Sequence, residues 1–158
     1  MEFTNIDKNL PDGQNMGGIK QKIYFGLWDD VETWPAKPVN PLTPEENAVL
    51  TGSVVMKAGK RMFEMYITDD TGEFKIEPVG EVDGKSFVEH LTFFHPGLQK
   101  SMVGFINIAK NNDLFFIPTD ADAQMYLMGD EMRPAVYQGA PDGSGTGKET
   151  AARKGISA

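Results

Sequence analysis

Apolar and polar positions alternate along much of this chain, and the alternation predicts strands. Ile19, Ile23, Phe25 and Leu27 fall on odd positions against Lys20, Lys22 and Tyr24 on even ones, so residues 19–28 fit a half-buried strand that Asp29-Asp30 ends. Residues 50–57 and 61–68 read as a hairpin about Ala58-Gly59-Lys60, its second arm alternating Met62, Glu64, Tyr66 and Thr68 with Phe63, Met65 and Ile67. After a turn at Asp69-Asp70-Thr71-Gly72, residues 73–79 alternate charged with apolar side chains, as a strand with one wet face does. Pro78 makes that strand an edge or a strand end, because proline cannot donate to a ladder. Residues 81–85 form the next turn.

Residues 86–118 then read as strand, helix, strand. Residues 86–94 are rich in β-branched and aromatic side chains and stop at His95-Pro96-Gly97. The period changes after that: Leu98, Met102, Phe105, Ile106 and Ala109 fall at i, i+4, i+7, i+8 and i+11, one face of an amphipathic α-helix over about 98–110. Asn111-Asn112-Asp113 ends it, asparagine tolerating the left-handed conformation of a helix C-terminus. Residues 114–117 resume as a strand, 119–123 turn, 124–129 return to pair with 114–117, and 133–138 are a further candidate strand.

Two arms and a connector flank this pattern. Residues 1–18 hold Pro11-Asp12-Gly13 and Gly17-Gly18 and little to bury, and read as an extended N-terminal arm. Residues 139–158 read as a flexible glycine-rich loop followed by a basic C-terminal segment. In residues 32–47, Pro35, Pro38, Pro41 and Pro44 recur at every third position, which predicts a polyproline-like structural connector. Within it Thr43-Pro44-Glu45-Glu46 carries a helix-start signature: a capping hydroxyl, proline in the first turn, and carboxylates at the positive end of the dipole. One domain over residues 19–138 follows, mostly β with one flanking helix.

With 158 residues the chain can bury one substantial core. Its 17 glycines and 10 prolines favour turns over long helices. A net charge of −8 argues against a surface that neutralises phosphates. The absence of cysteine removes disulfides, thiolate zinc sites and cysteine nucleophiles together. No apolar run approaches the roughly 18 residues of a spanning helix, and residues 1–8 lack a signal-peptide core, so a soluble protein made in the cytoplasm is expected, with no membrane partner.

Catalytic and cofactor motifs are not formed. Asp142-Gly143-Ser144-Gly145-Thr146-Gly147-Lys148-Glu149 fails as a phosphate loop: Asp142 stands where the first glycine is required, and Glu149 where a hydroxyl must orient magnesium. The acidic turns at Asp69-Asp70 and Asp120-Ala121-Asp122 do not continue into a calcium loop. His90 and His95, the only histidines, would point to opposite faces of a regular strand, and Ser144 lacks a nucleophile elbow. Trp28, Trp34 and Tyr24 suit core or interface packing better than base stacking, since no basic residues accompany them. No enzyme activity, metal or cofactor is expected.

Four stretches carry a family resemblance: Asn5-Ile6-Asp7-Lys8-Asn9-Leu10-Pro11-Asp12-Gly13, Gly80-Glu81-Val82-Asp83-Gly84-Lys85-Ser86, Phe94-His95-Pro96-Gly97, and residues 145–155. Taken together they resemble bacteriophage and prophage major tail proteins, the subunits of the tail tube. The chain departs from that look in its end at Ile156-Ser157-Ala158, where a further strand follows in the proteins it resembles. The resemblance implies an antiparallel β-sandwich with a barrel-forming sheet, assembled as hexameric rings that stack into a tube. DNA passes through as transient cargo, other tail proteins are partners, and the protein resides in the virion tail.

On that resemblance residues 1–18, 32–47 and 139–158 are expected to contact neighbouring subunits. Phe3, Ile6, Leu10, Trp34, Pro38, Pro41, Leu42, Lys148 and Arg153 are the candidate contact residues. Closure of a ring would also remove the open edge of residues 73–79. The alternatives are a capsid decoration or head–tail connector protein, which differs in symmetry, and a small ligand-binding β-domain, which needs a concave pocket with convergent polar groups.

Overall fold

The computed structural model describes residues 17–139 and the backbone of 155–157. In chain order these form β1 (Ile19–Leu27), a 3-10 turn (Trp28–Asp30), β2 (Val31–Thr33), α1 (Pro44–Ala48), β3 (Val55–Met56), β4 (Phe63–Tyr66) and β5 (Glu73–Val79). Then come β6 (Ser86–Thr92), β7 (Phe94–Pro96), α2 (Lys100–Ala109), β8 (Leu114–Asp120) and β9 (Gly155–Ser157). The fold is mostly β and antiparallel in every described pairing, with one longer helix. Its sheets are small: β4-β1-β8, and the pairs β2-β3, β5-β6 and β7-β9, none of them closed into a barrel among the described residues.

The central sheet follows from the period-two pattern. Register pairs Ile23 with Met65 and Pro118, Phe25 with Phe63 and Phe116, and Leu27 with Leu114, so one face gathers the apolar odd positions of β1. Helix α2 covers that face. Met102 and Ala109 are buried in one cluster with Ile23, Met65, Leu114 and Phe116, and Phe105 meets Phe25 edge-on at 5.1 Å between ring centroids. Phe105 and Ile106 are half-buried there, whereas Leu98 precedes the helix and is 41% exposed, so it leaves the predicted apolar face. The helix also ends differently from the expectation. Residues 111–113 adopt no left-handed conformation; the Asn112 side-chain amide donates to the Ile108 carbonyl at 2.7 Å instead.

The opposite face is covered at one end by the connector. Trp34 meets Phe115 edge-on at 5.7 Å and lies 6.1 Å from Trp28. Beneath, Gly26 pairs with Phe115, and a Cβ at Gly26 would stand 2.7 Å from the Phe115 ring, so only glycine fits. The two legs of the connector are tied by reciprocal Ala36–Thr51 backbone hydrogen bonds at 2.8 and 2.9 Å. The expected helix start is α1, where the Thr43 hydroxyl accepts from the Glu46 N–H at 3.2 Å.

Three predicted features are corrected. Residues 50–57 do not pair with 61–68: β3 folds back on β2, and β4 joins β1. The 3-10 turn anchors this: the backbone carbonyls of Asp29 and Asp30 accept from Lys57 Nζ at 2.5 Å and from the Lys57 N–H at 2.9 Å, and the Asp30 carboxylate pairs with Lys60 at 3.2 Å. Secondly, His95-Pro96 does not stop the strand run. Phe93 and Phe94 are both buried, which one regular strand cannot achieve with consecutive residues, so the chain breaks at Phe93 and resumes as β7. Thirdly, Gly155–Ser157, in the basic C-terminal segment for which no strand is predicted, form β9 against β7. Residues 124–129 do return along β8, but through single bridges such as Phe116–Met128 rather than as a continuous strand.

Candidate functional site

The β5–β6 hairpin is built from a sequence that alternates on both arms. Register places Phe74 opposite Leu91, Ile76 opposite Glu89 and Pro78 opposite Phe87, and paired residues share a face. That face is apolar except for Glu89. The other carries Glu73, Lys75, Glu77 and Val79 against Thr92, His90, Val88 and Ser86. Lys75 pairs with Glu77, which is also 3.8 Å from His90 Nε2, and the Lys75 ammonium holds the Glu77 carboxyl below the usual carboxylate range.

The hairpin leaves the body of the protein so that its apolar face is covered at the base, where Leu91 packs half-buried against the core, and uncovered toward the tip. At its base Phe74 stacks on Tyr126 at 4.9 Å, and Tyr126 donates to Asp120 at 3.0 Å, fixing the hairpin to β8. Burial raises the Tyr126 pKa, and the Asp120 carboxylate raises it further. Toward the tip Ile76 is 51% and Phe87 68% exposed. The tip is shaped for its conformation: Gly80 has φ of 108°, and a Cβ there would stand 2.7 Å from the Gly84 carbonyl oxygen. Among the described residues β5 and β6 pair only with each other, so each has a free edge.

The free edge of β6 forms one side of a groove of about 530 Å³, lined by every residue from Phe87 to Phe93 and, opposite, by residues 127–130 and 133–139, with Phe116 between. Successive residues lie on opposite faces of a strand, so β6 turns its edge to the groove. The opposite wall is held firmly. Ala135 and Leu114 exchange backbone hydrogen bonds at 2.9 and 2.8 Å, and the Asp130 carbonyl accepts from Trp28 Nε1 at 2.8 Å. The Asp130 carboxylate accepts from the N–H groups of Met132 and Arg133 at 2.9 and 2.8 Å and from Lys37 at 3.0 Å. Burial works against its ionisation, yet these donors prevail and hold its pKa below the usual range.

Of the residues picked out as contacts, Trp34 is half-buried in the connector's own packing, Pro38 and Pro41 are partly exposed, and Leu42 is 83% exposed. Val39 stands beside them at 87%, so the connector presents apolar side chains to solvent. Phe3, Ile6, Leu10, Lys148 and Arg153 lie outside the described residues, as do the 1–16 part of the N-terminal arm and the failed phosphate loop. Sequence reasoning did not single out Ile76, Phe87 or Glu89. The signal for them was the alternation of residues 73–79 together with Pro78.

His90 and His95 do not come together: His90 lies near Glu77, and His95 Nδ1 is 2.7 Å from the Tyr66 carbonyl oxygen. Among the described residues no three His, Cys, Asp or Glu side chains are placed to hold a metal, and no helix is long and apolar enough to cross a membrane. Compared with protein-family models, curated proteins and solved structures, the chain matches none.

Proposed function

We propose that this chain is a structural subunit that assembles with copies of itself into stacked rings, in the manner of the phage tail tube proteins it resembles. The observation that carries the reading is the β5–β6 hairpin, with two edges free among the described residues, an apolar face uncovered toward its tip and one charged face. A two-stranded hairpin is marginal in water alone, and open edges invite further strands. In a ring, rotation about one axis turns β5 of the next subunit in the same sense as the subunit's own β5. It therefore runs antiparallel to β6, and the joint extends the antiparallel ladder seen throughout the fold.

Such a joint seats the neighbour's β5 in the groove beside β6 and sets its Ile76 and Pro78 alongside Phe87 on the shared apolar face. The charged face, with Glu73 and Glu77 against Lys75, then lines the conduit. It presents no cluster of cations to hold passing DNA, which suits a channel through which DNA slides. Leu42 and Val39 on the connector supply a second contact, toward the next ring or other tail proteins. The role is structural, in the virion tail, with no catalytic step and no cofactor.

Sedimentation velocity over a concentration series tests the reading. Larger discrete species that grow with concentration are expected; a single monomer boundary at every concentration would sink it. A small-ligand reading rests on the groove, whose volume falls within the range of roughly 300–1,000 Å³ of ligand sites and which Glu89, Asp130 and Arg133 line. It ranks second because a strand edge, not a set of convergent polar groups, forms the longest wall.

A further inference from the structure

Glu89 is the single acid on the hairpin's apolar face. Register sets it opposite Ile76, with Phe87 and Leu91 two residues away on either side, and it lines the groove. Asp130 and Arg133 face the groove from the other wall, Asp130 being bound to Lys37 and to the N–H groups of Met132 and Arg133. His90, Lys75 and Glu77 lie on the opposite face of the hairpin. A neighbour's β5 that continues the sheet keeps the pleat, so Phe74, Ile76 and Pro78 of that copy join the face of Glu89. Its Lys75 falls on the far face. The joint thus flanks the carboxyl with further apolar side chains, removes water from the groove beside it and brings it no cation from the incoming strand.

We propose that Glu89 makes self-assembly proton-dependent, each joint closing on the protonated carboxyl and taking up one proton. The inference rests on the reading of the hairpin as the inter-subunit strand. Already in the single subunit, burial and then the negative charge of Asp130 hold the Glu89 carboxyl above the usual carboxylate range. Docking removes more water from it and raises its proton affinity again, since burial disfavours the charged form. A group whose pKa rises on assembly strengthens assembly as pH falls and ceases to help once pH exceeds its assembled value. For one proton the change is at most about tenfold in association constant per pH unit.

The test is association of the full chain by sedimentation from about pH 8 to about pH 5, unaltered and as Glu89→Gln, with circular dichroism confirming that both fold. The unaltered chain should tighten by up to about tenfold per unit beyond whatever general charge effect Glu89→Gln retains. Glu89→Gln should associate at pH 8 at least as well as the unaltered chain does at pH 5. Equal pH slopes for the two proteins overturn the proposal, and so does weaker association of Glu89→Gln at every pH, which would mean that the carboxylate is paired in the joint. Calorimetry of the unaltered chain in two buffers of different ionisation enthalpy reads proton uptake without any variant. Association with zero uptake overturns this inference alone, whereas no association at any pH overturns the assembly reading with it.

Discussion

Replacing Phe87 with serine separates folding from assembly. Phe87 lies on the apolar face of the hairpin opposite Pro78 and is 68% exposed, so little of its ring supports the subunit itself. A buried phenylalanine covers about 150–250 Å², which leaves about 130 Å² of this ring to be covered by a neighbour. At about 25 cal/mol per Å², covering all of it would be worth about 3 kcal/mol, so the loss is at most about 150-fold in association constant per joint. Folding should change by no more than about 0.5 kcal/mol, the usual range for surface substitutions. Sedimentation and thermal melting of the same sample read the two effects. Unchanged association would refute the hairpin joint, and a melting temperature lowered by several degrees would place Phe87 in the subunit's own core.

Further outcomes follow from the fold. Phe105→Asp puts a charge between Phe25 and Tyr137, 5.1 and 5.7 Å away, and should abolish folding; a folded monomer that merely fails to associate would move α2 to an interface. Gly26→Ala drives a methyl into the Phe115 ring and should cost about 1–3 kcal/mol by denaturant melting, and a neutral result would contradict the packing of Trp34 over that ring. Asp130 has a depressed pKa, so its contribution is present above the unfolded carboxylate range and is lost as pH falls through the folded value. Asp130→Asn should therefore melt lower than the unaltered protein at neutral pH, with the gap closing in acid; a gap that is constant with pH would exclude the ionised carboxylate and its donors as the cause.

Much of the fold was legible because alternation and helical period are local signals. The strand positions of β1, β4, β5, β6 and β8, the helix through Met102, Phe105, Ile106 and Ala109, and the Thr43 cap could all be read from the residues. Pairing was less legible. The Ala58-Gly59-Lys60 turn looks like a hairpin tip, and only the contacts of Lys57 and Lys60 with Asp29 and Asp30, some 30 positions earlier, turn β3 toward β2. The break at Phe93 was hidden because Phe93 and Phe94 are equally strand-forming, and their shared burial is a tertiary fact. For the candidate site, residues 73–79 announced a wet-faced edge strand. Nothing local told that Phe87 and Ile76 remain uncovered, since exposure depends on what the rest of the chain fails to reach.

The central claim is that copies of this chain close into stacked rings through the hairpin. Electron micrographs of the concentrated full chain test it most directly. Stacked rings with an open central channel are expected, and their rotational symmetry distinguishes a tube subunit from a decoration or connector protein. A field of isolated monomers at every concentration would contradict the account.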